Sequence, residues 1–206
     1  MAIVEAEHRV WTFEDFCAQI PEGLKADLIE GVIHVASPDN IQHNEIDLWY
    51  AEVLRRFLRK RKIKGRVFGF RIAFRLDDEN APEPDLAYMR PDRVHLIRRT
   101  FVKGPPDWAL EIVSPSSGER DYRKKRNQYE RFGVGEYWII DPIEETMTCF
   151  RLGKNGKYKE IRPRDGKIES HVIPGFWVKP EWFWQWPLPD EDEVLREILQ
   201  TANGKA

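Results

Sequence analysis

Cysteine is nearly missing from this chain of 206 residues, which contains only Cys17 and Cys149. Neither residue has another cysteine or a histidine nearby at the spacing of metal ligands. This pattern argues against a disulfide framework and against a structural zinc site. Two isolated thiols are typical of a protein in a reducing cytosol, so we expect a cytoplasmic protein.

Long hydrophobic runs are also missing, and the longest ones have only the length of a strand. We therefore expect no membrane-spanning helix. Residues 1–10 carry acidic side chains and no apolar core, which predicts neither a signal peptide nor a transit peptide. With 41% hydrophobic residues the chain can bury a sizeable core. We expect a single domain over residues 1–206, with its core over about 12–152 and a hairpin, a Trp-rich tail and a short helix over about 153–206.

A strong charge of one sign is missing as well, because the formal net charge is -2. Basic residues are nevertheless clustered, and seven of the ten residues 55–64 are Lys or Arg. Such local patches can bind phosphates even when the total charge is near zero. The run 55–64 is either a solvated helix end or a DNA contact, and Arg71 and Lys124 are our candidate nucleic-acid-binding residues. A second basic cluster comprises Arg120, Arg123, Lys124, Lys125 and Arg126.

Apolar spacing and turn residues divide the chain into alternating helices and strands. The predicted helices cover about 13–19 after the N-cap Thr12, 42–61, 119–132 and 191–201. The predicted strands are a hairpin over 27–35, a strictly alternating strand over 67–76, further strands over 84–89, 107–113 and 136–141, and a second hairpin over 147–162. We predict no regular structure for the tail 173–188, whose four tryptophans should pack on the domain or on a partner subunit.

Two carboxylates are notable for their positions in predicted strands. Glu111 lies inside an apolar run, where a bare buried carboxylate costs several kcal/mol unless it is paired or binds a cation. Asp85 directly follows Pro84, and neighbouring strands would bring the two acids together. Magnesium or manganese prefers such hard oxygen ligands. The alternative is a buried structural ion pair, with Lys125 as a possible partner.

The helix predicted after Glu111 carries Asp121, Lys125 and Tyr129 at a spacing of i, i+4 and i+8, which places them on one face. Lys125 would then lean toward the end of the strand. A lysine there can orient an attacking water or stabilise developing phosphate charge. The alternatives are a solvated Lys125, and an Asp121 and a Tyr129 that only pair and pack along their helix.

Together these residues form a longer pattern. It consists of Pro84-Asp85, then Glu111-Ile112-Val113-Ser114-Pro115-Ser116, then Asp121-x3-Lys125-x3-Tyr129, and then the run GVGEYWIIDP over 133–142. The combined string resembles the Uma-two family of restriction endonucleases, which belongs to the PD-(D/E)XK nuclease superfamily. The resemblance runs from about Thr12 to Leu152, and a Pro174-Gly175-Phe176 element follows it.

The resemblance implies an α/β (α+β) fold with a restriction-endonuclease-like core, in which helices flank a mixed β-sheet and an N-terminal helix and β-hairpin precede it. It also implies a magnesium-dependent endonuclease that hydrolyses DNA, and a homodimer. Asp85 and Glu111 match the metal-binding and catalytic acids, and the backbone carbonyl of Ile112 would be a further metal ligand. We expect neither a membrane partner nor a small-molecule organic cofactor.

The chain departs from the superfamily pattern at Val113, where a lysine is expected two residues after the glutamate. In the Uma-two pattern this catalytic role moves to Lys125. Asp27 stands where the family favours a glutamate, and it either assists the metal site or is only a turn or surface acid. His43 matches a family position, and it is either functional or a satisfied residue at a helix N-terminus. The rival function is a non-catalytic nucleic-acid-binding or interaction module that retains the nuclease fold.

Overall fold

The computed structural model describes residues 9–21, 23–38, 40–69 and 71–201. Its first helix, α1 (Phe13–Gln19), begins with the predicted capping box, in which Thr12 and Asp15 bond reciprocally to each other's backbone N–H groups. The predicted hairpin follows as β1 (Ala26–Ile29) and β2 (Val32–Val35). These sequence predictions are confirmed.

The rest of the chain alternates strands with helices. The remaining elements are α2 (Ile41–Lys60), β3 (Arg66–Phe68), β4 (Ala73–Arg75), β5 (Leu86–Met89), β6 (Phe101–Lys103), β7 (Trp108–Ile112), α3 (Arg126–Arg131), β8 (Glu136–Asp141), β9 (Thr146–Leu152), β10 (Tyr158–Ile161), β11 (Ile168–Glu169), β12 (Trp177–Val178) and α4 (Glu191–Thr201). Short 3₁₀ helices cover Pro91–Leu96 and Pro180–Trp184, and a π-helical segment, Arg120–Lys125, leads into α3. None of the described helices is both long and apolar enough to cross a membrane.

Six strands form the central sheet in the order β10-β9-β8-β7-β5-β3. The sheet is mixed, because β7 and β8 run parallel while the other neighbouring pairs are antiparallel. Trp108, Leu110 and Ile112 of β7 face a hydrophobic cluster that includes α2. Ala109 and Val113 face the opposite cluster, which includes residues of α3. The predicted mixed sheet flanked by helices is confirmed.

The prediction of a single strand over 67–76 is wrong. β3 belongs to the central sheet, whereas β4 pairs in parallel with β6 in a separate two-stranded sheet. Between them Arg71 has a φ of 68°, a left-handed conformation that interrupts an extended chain. Residue Phe70 of this prediction lies outside the described residues. Phe68 of β3 and Phe74 of β4 still pack in one cluster, so periodicity identified this buried face without revealing the kink.

The C-terminal tail packs against α2, and it contains more regular structure than predicted. β12 and a 3₁₀ helix lie within the segment 173–188, where we expected none. Trp177 and Trp182 are buried in the same cluster as Trp49 of α2, whose indole N–H donates to the carbonyl of Pro189 at 2.6 Å. Trp186 is 62% exposed. The short strand escaped sequence reasoning because its pairing with β11 is a tertiary contact.

Candidate active site

The register of β5 and β7 brings the two strand acids together. Leu86 pairs with Leu110 in antiparallel register, so Asp85, one residue before β5, stands beside Glu111. Both acids are buried, each only 2% exposed. They line the same cleft, as the sequence led us to expect.

Asp85 is held by groups from three separate elements. Its Oδ2 accepts the Ile112 backbone N–H at 2.7 Å, and His43 Nε2 of α2 lies 3.4 Å from the same oxygen. Its Oδ1 contacts the ammonium of Lys25, which precedes β1. Burial alone would raise the pKa of Asp85, but Lys25 and His43 hold that pKa well below its usual value. His43 therefore has a defined place in the site, against the carboxylate of Asp85.

Glu111 belongs to a second, more enclosed network. Lys125 Nζ lies 2.9 Å from Glu111 Oε1 and 2.9 Å from Asp27 Oδ2. The Tyr129 hydroxyl donates to Glu111 Oε1 at 3.0 Å. The Lys125 side chain is only 1% exposed, so the alternative of a solvated lysine is wrong. Asp27 is likewise buried and ion-paired, which rules out a simple surface acid.

The helix after β7 presents its predicted face to this network. Asp121, Lys125 and Tyr129 are all buried, as the i, i+4, i+8 spacing predicts. The turn that carries Asp121 and Lys125 is π-helical, a wider geometry that often occurs at functional sites. Asp121 Oδ1 lies 4.0 Å from Lys125 Nζ, and the Tyr137 hydroxyl donates to the Asp121 carbonyl at 3.0 Å.

Burial makes several of these groups titrate abnormally. It raises the pKa of Glu111 to about 8, against the pull of Lys125, and raises the pKa of Asp121 to about 6. Burial would lower the pKa of Lys125, but the carboxylates of Asp27 and Glu111 raise it above its usual value. Lys125 is therefore an ammonium ion at neutral pH.

Comparison with known proteins identifies the family. A family model described as "Uma2: Putative restriction endonuclease" matches residues 12–181. This chain belongs to the Uma2 family. A crystal structure described as "a putative nuclease belonging to DUF820" from Anabaena variabilis ATCC 29413 is similar, with a TM-score of 0.70 and 18% sequence identity over 85% of this chain and 98% of that chain. At that identity the likeness shows the fold alone, and no curated protein sequence matches the chain.

Family and fold together indicate a restriction-endonuclease-like nuclease. Metal dependence, DNA as the substrate and the homodimer stay predictions.

Sequence reasoning missed three charged residues of this Uma2 site. Lys25 precedes β1 by one residue, and a lysine before a strand carries no signal by itself. Glu83 accepts the Ala26 N–H at 3.2 Å, and burial raises the pKa of Glu83 to about 7. Arg120 Nε lies 3.6 Å from Asp27 Oδ2. The sequence did contain a signal for the other two residues. Glu83 lies two residues before Asp85, and Arg120 is the first residue of the basic helix that carries Lys125.

The predicted nucleic-acid contacts are scattered. Lys124 is exposed on the helix that carries Lys125, and Arg71 is exposed in the kink between β3 and β4. The basic run 55–64 covers the last turns of α2 and the residues after it, about 25 Å along the helix from His43 at 1.5 Å per residue. It is therefore remote from the acids. Part of it contacts α4, where Arg56 pairs with Asp192.

The donor set fits a divalent cation of the kind the family implies. Asp85, Glu111 and Asp121 line one cleft together with Ile112, and the buried Asp121 Oδ1 has no hydrogen-bond partner among the described residues. In the part of the chain that the structure describes, no three His, Cys, Asp or Glu side chains are grouped to hold a metal unaided. Magnesium needs only one or two carboxylates, because it keeps several waters. Two acids and a backbone carbonyl are therefore a sufficient set.

Proposed function

We propose that this chain is a divalent-metal-dependent endonuclease that hydrolyses DNA phosphodiester bonds. The observation that carries the proposal is the 2.9 Å contact between Lys125 Nζ and Glu111 Oε1. Val113 occupies the position at which the superfamily places its lysine, and Val113 is buried among apolar residues. A lysine from the next helix nevertheless reaches the strand glutamate. The combination of two strand acids and a lysine is thereby complete in space, although it is incomplete along the sequence.

Asp85, Glu111 and the backbone carbonyl of Ile112 would hold magnesium or manganese. Bound there, the cation would lower the pKa of a coordinated water and polarise the scissile phosphate. The protein's own part is to fix the ligands. The Ile112 N–H and His43 both contact Asp85 Oδ2, which limits rotation of that carboxylate.

Lys125 acts through its positive charge in this proposal. Because its pKa is raised, it stays protonated and does not accept a proton from water. Its ammonium orients Glu111 and offsets negative charge that develops on a phosphate in the cleft. Asp27 contacts the same ammonium and so helps to position Lys125.

The basic side chains nearest the acids would bind the DNA backbone. Arg120 lines the cleft, and Lys124 is exposed on the same helix. Contacts of this kind go to phosphates, so they give affinity that falls with salt and carries little sequence information. Arg71, exposed in the kink between β3 and β4, is a further candidate phosphate contact. The run 55–64 is remote from the acids and is less suited to reach the same phosphates.

A plasmid-nicking assay tests the proposal. Supercoiled DNA incubated with the protein and magnesium or manganese should become nicked, and chelation with EDTA should stop the reaction. Asp85→Ala should reduce nicking by about a hundredfold or more, because the metal loses a ligand. Asp92→Ala, at an exposed aspartate of a 3₁₀ helix, is the matched control and should retain activity. Wild-type activity no higher than that of Asp85→Ala would refute the proposal.

One observation favours the rival, a non-catalytic nucleic-acid-binding module. Asp27, Asp85 and Glu111 each contact a lysine of the protein itself, as the acids of a structural network would. Calorimetric titration with manganese separates the two functions. A nuclease site should bind the ion, and Glu111→Ala should abolish binding, while Glu119→Ala at an exposed position should not. A protein that binds DNA but no manganese would support the rival.

A further inference from the structure

Lys25 occupies a position on Asp85 that a metal ion would also need. Its ammonium contacts Asp85 Oδ1, and the other oxygen, Oδ2, already faces the Ile112 N–H and His43. Both oxygens of this carboxylate are therefore engaged by the protein. A cation that binds Asp85 Oδ1 from the side that Lys25 occupies must displace the Lys25 ammonium.

Of the groups that contact Asp85, Lys25 is the one best able to leave. The Ile112 N–H belongs to β7 and cannot move without the sheet, and the His43 ring belongs to α2 and is only 5% exposed. Lys25 lies outside the regular elements, and 14% of its side chain is exposed. Its ammonium sits on a flexible four-carbon stem, so it can turn into solvent without backbone movement.

Charge also favours an exchange of cations over a simple addition. Three cationic side chains, Lys25, Lys125 and Arg120, already face the carboxylates of this site. A divalent ion added beside all three would be repelled by them, because like charges at close range are unfavourable. Departure of the Lys25 ammonium removes the positive charge closest to the ion and leaves Asp85 Oδ1 available to bind it.

We propose that the Lys25 ammonium and a divalent cation compete for Oδ1 of Asp85, so that Lys25 fills the cation position until the metal displaces it. The inference rests on the proposed function, because it assumes a metal at Asp85. Lys25 is then a positioning residue. It keeps the Asp85 carboxylate paired in the metal-free protein and sets how tightly the metal binds.

Manganese titration of the full-length, metal-free protein tests the competition. Lys25→Met should bind manganese about tenfold tighter than wild type or more, because a charge-assisted bond no longer has to be broken. Lys25→Arg should bind several-fold weaker, since its guanidinium can hold the carboxylate through two N–H donors. Lys157→Met removes an exposed lysine that pairs with Glu130 and is the matched control, with unchanged affinity.

The outcomes separate this inference from the proposed function. If wild type binds manganese and Lys25→Met binds no tighter, the competition is wrong while the metal site stands. If neither protein binds manganese, both the proposed function and the competition fail. Weak binding by wild type with clear binding by Lys25→Met supports the competition most directly.

Thermal unfolding provides a readout that is independent of affinity. In EDTA, Lys25→Met should melt at a lower temperature than wild type, because Asp85 has lost its cation. Manganese should then raise its melting temperature by more than it raises that of wild type. If Lys25→Met does not fold at all, Lys25→Arg decides, and manganese binding as tight as in wild type or tighter would overturn the inference.

Discussion

The two lysines of the site pair with acids in different ways. Lys125 is 1% exposed and lies 2.9 Å from both Glu111 and Asp27. Lys25 keeps 14% of its side chain exposed and contacts Asp85 from the segment before β1. The first pair is enclosed by a helix, a strand and a hairpin, whereas the second stands at the accessible side of the same cleft.

This difference assigns different tasks to the two pairs. An enclosed ion pair cannot exchange its cation without loss of packing, so the contacts of Lys125 with Glu111 and Asp27 would stay in place when the proposed metal binds. An accessible pair with a flexible lysine can exchange its cation, so the proposed metal would enter at Asp85. The two acids therefore play unequal parts, although they stand side by side and are equally buried.

The largest expected difference between the pairs is in stability. Lys125→Met should destabilise the protein by about 3–5 kcal/mol, because it leaves buried carboxylates without their cation. Lys25→Met should cost about 1–2 kcal/mol, since Asp85 keeps the Ile112 N–H and the contact with His43. Urea unfolding in EDTA measures both, with Lys157→Met as a surface control. Equal losses for the two variants would remove the distinction between an enclosed and an accessible pair.

A second, smaller effect concerns pH. Burial raises the pKa of Glu111 from 4.5 to about 8, so the folded protein holds a proton that the unfolded chain releases. The stability from this group is full below about pH 4.5 and is lost as the pH rises through about 8. The melting temperature in EDTA should therefore fall between about pH 6 and pH 9.

The contribution of Asp85 to stability changes with pH in the opposite direction. Lys25 holds its pKa below the usual 3.8, so its contribution is present above that pH and is lost as the pH falls below it. Glu111→Gln should remove most of the fall in melting temperature between about pH 6 and pH 9. The fall in melting temperature at acid pH, which comes from Asp85, should be unchanged. A wild-type melting temperature that stays level or rises over the alkaline range would contradict the assignment.

The smallest expected loss of stability comes from removing the Tyr129 hydroxyl, which donates to Glu111 beside Lys125. Tyr129→Phe removes the 3.0 Å bond to Glu111 and keeps the ring, which packs 4.8 Å from Tyr137. We expect a loss of about 1 kcal/mol in urea unfolding. Tyr122→Phe is the matched control, because its bond to Asp141 is long, at 3.4 Å, and half-buried, so its loss should be smaller. A larger loss of stability for Tyr122→Phe than for Tyr129→Phe would show that the Tyr129 hydroxyl does not stabilise Glu111.

Much of the fold was predictable because side-chain periodicity is a local property. The predicted helices 42–61 and 191–201 match α2 and α4 within one residue, and the hairpin predicted over 27–35 matches β1 and β2. Alternation failed over 67–76, because it reports which face is buried and not whether the backbone stays straight. The left-handed Arg71 has no sequence signal comparable to a glycine or an asparagine.

The site was predictable only in part. The two strand acids and the helix face of Lys125 follow from spacing and from the family pattern. Lys25 does not, because it lies 60 residues from Asp85 along the chain. Its contact exists only once the β1–β2 hairpin packs against residues 81–83, just before β5.

The sequence by itself therefore determined which apolar faces are buried, which element carries each strand acid and which family the chain resembles. These properties depend on the order of side chains within one helix or strand. Only the tertiary structure decided which lysine pairs with which acid, and how far each pair is withdrawn from water. Ion pairing and desolvation depend on distances between segments that are remote in sequence, and those distances arise only when the strands and helices pack.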